Sequence, residues 1–262
     1  MHESALDETF IPRPLSCWSY IRVGGGHTIV NDVGMRLLVR DARRPHYANA
    51  QIDDYGPTSS RSQTHFSWRP PLRMTVRARS SELIAGTAGF GFWNNPFSPL
   101  GGRPRLPAAI WFFYASPPSD MPLALDVPGN GWKVACLDAT QPRALAWAPL
   151  TLPVLLLNRR PTLYRRLWPR VQHALRIAEA AIPPINTIWR IYTLDWQHDY
   201  ACFAIDGAVV LETDCVPQGP LGFVAWIDSQ WAVVTPWGRL GWGFLDTETQ
   251  WLDLQQVRIE QI

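Results

Sequence analysis

The sequence predicts an all-β fold in a single domain, on three observations. Its 18 Gly and 24 Pro are scattered along the whole length, which fits many short strands joined by tight turns. Apolar and polar residues alternate with period two in several segments, most clearly Leu72 to Arg79. Hydrophobic residues make up 47% and charged residues 18% of 262 positions, enough for a large core and too apolar for a disordered chain.

The elements follow in order. Residues 1–17, ending in Pro12 and Pro14, read as a flexible arm, which leaves 18–262 as the domain. Trp18 to Val23, Met35 to Val39 and the stretch around Ala48 to Ile52 suit strands, with turns at Gly24-Gly25-Gly26 and Gly34. Residues 53–66 read as a loop. Leu72 to Arg79 is a half-buried strand with Arg73, Arg77 and Arg79 on the wet face. Gly86 to Trp93 is a Gly- and aromatic-rich strand closed by Asn94-Asn95-Pro96. Ile110-Trp111-Phe112-Phe113-Tyr114 is a continuous aromatic run that needs cover on both faces.

From 116 to 187 the character changes, and this stretch reads as an insertion. Residues 116–131 are Pro-rich connections, Trp132 to Leu137 suits a strand, and 144–157 is apolar but interrupted by Pro149 and Pro153. One helical insertion is expected around 161–182. There Val171, Leu175, Ala178 and Ile182 share a helical face, Pro169 suits its first helical position, and Pro183-Pro184 stops it. Strands resume at Thr187 to Trp196 and Tyr200 to Ile205. Asp206-Gly207 is a two-residue hairpin turn into Ala208 to Glu212. Leu221 to Asp228, a Gly-rich aromatic loop and a closing strand from Trp251 to Ile259 complete the chain.

Composition excludes several functions. A formal net charge of +2 argues against a nucleic-acid partner. Of the 24 basic residues only Lys133 is a lysine, the rest being arginine. Cys17, Cys136, Cys202 and Cys215 form no C-x-x-C pair, and His27, His46, His65 and His173 have no H-x-H or H-E-x-x-H company, so neither a metal nor a cofactor is expected. No apolar run reaches the ~20 residues a spanning helix needs. The acidic start, Met1 to Glu8, has no apolar h-region, so a cytoplasmic location is expected, or an extracellular one if a leader precedes it.

One segment carries a family resemblance. Trp189-Arg190-Ile191-Tyr192-Thr193-Leu194-Asp195-Trp196, followed by Cys202-Phe203-Ala204-Ile205-Asp206-Gly207, resembles the W-x-x-Y-x-x-x-W and F-x-x-D-G hairpin of the concanavalin A-like lectin/glucanase superfamily, which includes glycoside hydrolase family 16. Leu252 to Ile262 is similar to that family's closing strand and Arg77 to Trp93 to its paired central strands, so the resemblance covers residues 35–115 and 187–262. It implies a two-sheet antiparallel jelly roll whose concave face often holds a glycan. The family's hydrolases carry E-x-D-x-x-E or E-x-D-x-E on the next strand, with the two carboxylates ~5–5.5 Å apart for a retaining mechanism. Here that strand, Ala109 to Ala115, has no carboxylate, and the nearest acidic pair, Asp246 and Glu248, falls in a loop.

The candidate ligand-binding residues are Trp93, Asn95, Trp111, Phe113, Trp226, Asp228, Gln230 and Trp231. Rings would stack on a sugar face, and amides and the carboxylate would take hydroxyls. Strand parity is open, so either Trp111 and Phe113 or Phe112 and Tyr114 face the cleft. Asp228 is the one catalytic candidate, as an acid raised by apolar neighbours, although a turn aspartate is the simpler reading. Asp195, His198 and Asp199 read more simply as turn chemistry. Arg159, Arg160, Arg165, Arg166, Arg170 and Arg176, interleaved with Leu163, Trp168 and Leu175, suit either a solvated helix face, a lid over the cleft, or contact with an anionic membrane surface.

The leading expectation is therefore non-hydrolytic binding of a glycan or small ligand. The alternatives are a glycoside hydrolase or lyase using Asp228 with Asp120 or Glu212, and an intracellular enzyme or carrier for an apolar metabolite with residues 116–187 as its lid. Nothing in the sequence sets an oligomeric state.

Overall fold

The computed structural model describes residues 5–56, 66–96 and 105–262. Residues 1–4 of the expected arm and 57–65 of the expected loop, His65 among them, lie outside the described residues.

The first strands are β1 (Ala5–Glu8), β2 (Ser19–Val23), β3 (Gly26–Asn31), β4 (Gly34–Arg40) and β5 (Asn49–Asp53). Next come β6 (Leu72–Ser80), β7 (Thr87–Trp93), β8 (Ala108–Ala115) and β9 (Gly131–Asp138). Helices α1 (Pro142–Ala146), α2 (Thr151–Leu157) and α3 (Pro161–Ala174) follow, then β10 (Ala178–Ala181). The chain closes with β11 (Arg190–Trp196), β12 (Ala201–Ile205), β13 (Ala208–Thr213), β14 (Gly222–Asp228), β15 (Gln230–Val234), β16 (Leu240–Phe244) and β17 (Thr249–Gln261).

Two large antiparallel sheets form the sandwich. The eight-stranded sheet runs β13-β12-β11-β6-β17-β4-β3, with β1 also on β17, and the seven-stranded sheet runs β10-β9-β8-β7-β14-β5-β2. The period-two pattern of Leu72 to Ser80 explains its place: Leu72, Met74, Val76 and Ala78 are fully buried between the sheets, while Arg73 and Arg77 face water. The core is strongly aromatic. Phe112 packs edge-on against Tyr192 and Phe203, and Phe92 lies 5.5 Å from Trp196. Tyr192 and Trp196 of the hairpin motif are therefore core residues, and the Trp196 indole donates to Pro217 O at 2.9 Å. The Asp206-Gly207 turn forms as expected, with Ile205 paired to Ala208 and both turn residues at positive φ.

Three expectations need correction. Within the expected arm, Ala5–Glu8 pair with Glu260–Val257, and Phe10 is fully buried. The Glu8 carboxylate holds the turn by accepting from Leu15 N and the Trp18 indole, both at 2.7 Å.

The helical insertion also differs. α3 begins at Pro161, contains Pro169 in its interior, and ends at Ala174. Arg176 turns the chain away with φ +48°, and Ala178–Ala181 pair with β9 as an edge strand. Pairing wins over helical periodicity there because it delivers the Glu179 carboxylate to the buried Lys133, at 2.6 Å. The proline-broken stretch before it is helical too. Pro142, Pro149 and Pro153 all fall within first turns, where no intrahelical N–H bond is lost.

Finally, the Gly-rich aromatic loop is the β15–β16 hairpin.

Candidate functional site

The outer face of the seven-stranded sheet, which the resemblance makes the concave one, can be read from its register. Trp111, Gly91, Val224 and Asp53 form one row across β8, β7, β14 and β5. Phe113, Gly89, Trp226 and Gln51 form the next. Parity is thus settled: Ile110 and Phe112 enter the core, and Trp111 and Phe113 face outward.

The two glycines make this face. A Cβ on Gly89 would stand 2.9 Å from Trp226 Cη2, and one on Gly91, at φ +148°, would stand 2.7 Å from Trp111 Cβ. The rings close over the space the glycines leave. Trp93 stacks parallel to Trp226 at 6.4 Å, Trp111 lies 5.3 Å from Trp226, and Trp111 stacks on Phe113 at 5.5 Å. Trp226 is buried at 8% exposure, whereas Trp93, Trp111 and Phe113 are half-buried. The result is an aromatic platform with Trp226 as its base. Tyr55 and Phe66 extend the same cluster.

Polar groups pin the platform. The Trp226 indole donates to Thr87 Oγ1 at 2.9 Å, and the Trp93 indole donates to the Tyr55 hydroxyl at 2.7 Å. Gln51 Nε2 donates to that hydroxyl at 3.3 Å and to Asp53 Oδ2 at 3.0 Å. Asp53 Oδ1 and Asn49 Oδ1 are buried with no hydrogen-bond partner. Burial pushes the Asp53 carboxyl up to about 6, against the pull of its hydrogen bonds. Its neighbour Asp54, which accepts from Phe223 N at 2.8 Å and from the Trp68 indole, is pushed by burial to about 7.

Asp228 lies beside this network. Its Oδ1 accepts from Thr87 N, Thr87 Oγ1 and Gln230 N at 2.9–3.0 Å, and its Oδ2 accepts from the Tyr47 hydroxyl at 3.1 Å. Burial raises it to about 6 although every one of these bonds pulls it down. Oδ1 thus ties β14 to β7 and to the turn into β15, and Oδ2 ties it to the segment before β5.

The other predicted residues separate from the platform. Asn95 sits in the turn after β7 with φ +44°, and its neighbour Asn94 closes that turn through Leu106 O and Ala108 N. Gln230 and Trp231 begin β15, and the Trp231 ring lies across Gly241 and Gly243 of β16. Glu212 lies on β13 in the opposite sheet, bonded to the Tyr200 hydroxyl at 2.8 Å, so it cannot pair with Asp228 across the platform. Asp195 is ion-paired to Arg73, and Asp246 to Arg44 at 2.9 Å. The outward positions of β8 are Ala109, Trp111 and Phe113, with no carboxylate among them. Beside the platform a hollow of about 210 Å³ is lined by Phe66, Asn94, Arg105 and Asp138, among others.

Sequence reading missed Tyr55, Gln51, Asp53 and Thr87. Asn49-Ala50-Gln51-Ile52-Asp53 does alternate polar and apolar, and that period marks its outer face. It also missed the ion pair between Lys133 and Glu179, each side chain 1% exposed, one strand outward from Phe113. Lys133 Nζ further donates to Met121 O and Pro128 O, and Glu179 accepts from Leu123 N and Ala124 N. This anchors the 116–130 connection onto the β9–β10 end of the sheet.

No protein-family profile and no curated protein matches this chain. Solved structures do. The Bacillus licheniformis β-glucanase matches with a TM-score of 0.57 at 12% identity, over 100% of both chains. A β-1,3-1,4-glucanase (lichenase) from a mouse hindgut metagenome matches with a TM-score of 0.55 at 15% identity, over 99% of this chain and 100% of that one. The Emp47p carbohydrate recognition domain matches with a TM-score of 0.50 at 10% identity, over 100% of this chain and 96% of that one. At such identities the likeness carries the architecture alone, and it spans glucanases and a carbohydrate recognition domain. The fold of this chain is a two-sheet antiparallel jelly-roll sandwich with the architecture of those glucanases.

Proposed function

We propose that this chain binds a carbohydrate on the platform of Trp93, Trp111 and Phe113 over Trp226, and does not hydrolyse it. The single observation that carries the reading is the exchange on β8. The outward positions, where the resemblance puts a carboxylate pair, hold Ala109, Trp111 and Phe113 instead. A retaining glycosidase needs two carboxyls about 5–5.5 Å apart on the ligand's face, one free to attack and one free to give a proton. Of the nearby carboxyls, both buried, Asp228 has both oxygens held by the chain's own donors and Asp53 has Oδ2 held by Gln51. What the face offers is half-exposed rings, on which the C–H face of a sugar packs well.

The neighbouring β-1,3-1,4-glucanase suggests where to begin. Tryptophan fluorescence is titrated with oligosaccharides of mixed-linkage β-1,3-1,4-glucan, then with a broad glycan panel, and release of reducing ends is followed in parallel. The expected result is saturable quenching or a spectral shift with no new reducing ends. Turnover that Asp228→Asn abolishes would establish the hydrolase alternative instead. No fluorescence response to any glycan would remove the carbohydrate reading.

A further inference from the structure

The helical insertion shows water an apolar surface that the sandwich does not need. In α2 the inward arc is Val154, Leu155 and Asn158, whose side-chain amide donates to Pro236 O at 2.9 Å. The opposite arc is where a soluble helix places its charges. Here it holds Leu152, Pro153, Leu156 and Leu157, all exposed, with Leu152 at 66%. The preceding turn adds Leu145 and Leu150, exposed at 53% and 49%. From Leu145 to Leu157 the only exposed polar side chain is that of Thr151.

The β15–β16 hairpin is tied to α3, with Trp237 packed edge-on against Tyr164 at 5.6 Å, and to the end of α2 through Pro236. Its outward side shows Leu240 at 80% and Trp242 at 71% exposure.

The charges that this segment itself carries are of one sign. Between Asp138 and Glu179 the chain has no Asp or Glu, while Arg143, Arg159, Arg160, Arg165, Arg166 and Arg170 are all exposed. Only Arg165 has an acidic partner, Asp126 at 2.8 Å, among the described residues. The sequence pointed to Leu163, Trp168 and Leu175 as the apolar side of this arginine run. In the structure Trp168 is buried, Leu175 is half-buried against the cluster of Trp168, Val171 and Ile177, and Leu163 is half-buried. The exposed apolar set lies instead one helix earlier.

Leucine side chains long enough to enter the acyl boundary, ringed by unpaired guanidiniums at headgroup level, are the pattern of an interfacial anchor. We infer that the α1–α2 surface docks this chain onto an anionic lipid bilayer, with Leu152 and Leu156 entering the interface and Arg143, Arg159 and Arg160 taking lipid phosphates or carboxylates. This inference does not depend on the carbohydrate reading, since it uses none of the platform residues.

The test is co-sedimentation of the intact chain with vesicles of phosphatidylserine and phosphatidylcholine, set against vesicles of phosphatidylcholine alone. Partition at least tenfold stronger to the anionic vesicles is expected, weakening as salt shortens the Debye length. Replacing each of Arg159 and Arg160 by Gln is expected to cost about fivefold in partition. Leu152→Ser with Leu156→Ser is expected to abolish binding while leaving the far-ultraviolet circular dichroism unchanged, because both side chains are exposed.

Equal or absent partition to the two vesicle types, for the unaltered chain, overturns the inference. So does a lipid-independent dimer, seen by light scattering, that the leucine substitutions dissociate, because the surface would then belong to a second copy.

Discussion

The tryptophans on the outer faces of the two sheets are treated in opposite ways. On the eight-stranded sheet, Arg36 lies 4.5 Å over the Trp251 ring, and Arg79 lies 4.5 Å over Trp189 and 5.4 Å over Trp251. Both guanidiniums also grip the buried carboxylate of Asp253, at 2.7 and 3.0 Å. Indole faces there are filled by the chain's own cations, which share the one carboxylate. On the seven-stranded sheet no guanidinium covers Trp93, Trp111 or Trp226 among the described residues, and the rings stack on one another up to the edge of solvent. A ring face already occupied by arginine has little left to offer a ligand. The platform's outer rings keep theirs.

Breaking the support of each face should separate them most. Lys133→Ala leaves Glu179 charged, buried and unpaired at the end of the platform sheet, and should cost about 3–5 kcal/mol in urea unfolding. Arg79→Ala on the other sheet, whose side chain is partly solvated and whose partner Asp253 keeps Arg36, should cost about 1 kcal/mol. Equal costs would mean that the anchor under the 116–130 connection is no more critical than a surface pair.

Trp226→Ala removes the base of the platform and should cost about 3–5 kcal/mol, as large-to-small core changes do. Trp189→Ala should cost no more than about 1 kcal/mol. Thermal unfolding of the two variants measures this directly, and similar losses would show Trp226 to be surface furniture like Trp189.

Acidity gives a smaller and signed difference. Burial holds Asp53 and Asp228 at about 6 and Asp54 at about 7, so the folded chain binds these protons more tightly than the unfolded chain does. Their contribution to stability is complete below an unfolded value near ~3.9 and is lost as pH rises through 6 to 7. Each contributes a slope of up to about 1.4 kcal/mol per pH unit in that window. Melting temperature should therefore fall between pH 5 and pH 7.5, and Asp228→Asn should flatten part of that fall. A melting temperature that rises over the same range would contradict the burial of these carboxyls.

The sandwich was legible because its signals are local. Alternation in Leu72 to Arg79 and the Asp206-Gly207 turn each specify geometry within a few residues. The platform was legible only in part. Trp93, Trp111, Phe113 and Trp226 were named from the sequence, but the face that Trp111 presents depends on register with Gly91, a partner twenty residues away. Glu179 was read as helical because Ala178 and Ile182 fit the period of Val171 and Leu175. Its strand conformation follows from a buried lysine that is distant in sequence. Asp228 looked catalytic as an acid among apolar residues, and the donors that occupy it, Thr87 and Tyr47, come from two other segments.

The central claim is that the platform of Trp93, Trp111 and Phe113 keeps its outer rings for a ligand, while Trp189 and Trp251 on the opposite side of the sandwich do not. The indole proton–nitrogen spectrum, titrated with β-glucan oligosaccharides and then with a wider glycan panel, tests it most directly. The account predicts that the Trp93 and Trp111 signals move, assigned through Trp93→Phe and Trp111→Phe, while those of Trp189 and Trp251 stay fixed. Signals that remain still across the whole panel, or that move at Trp189 and Trp251 instead, would contradict it.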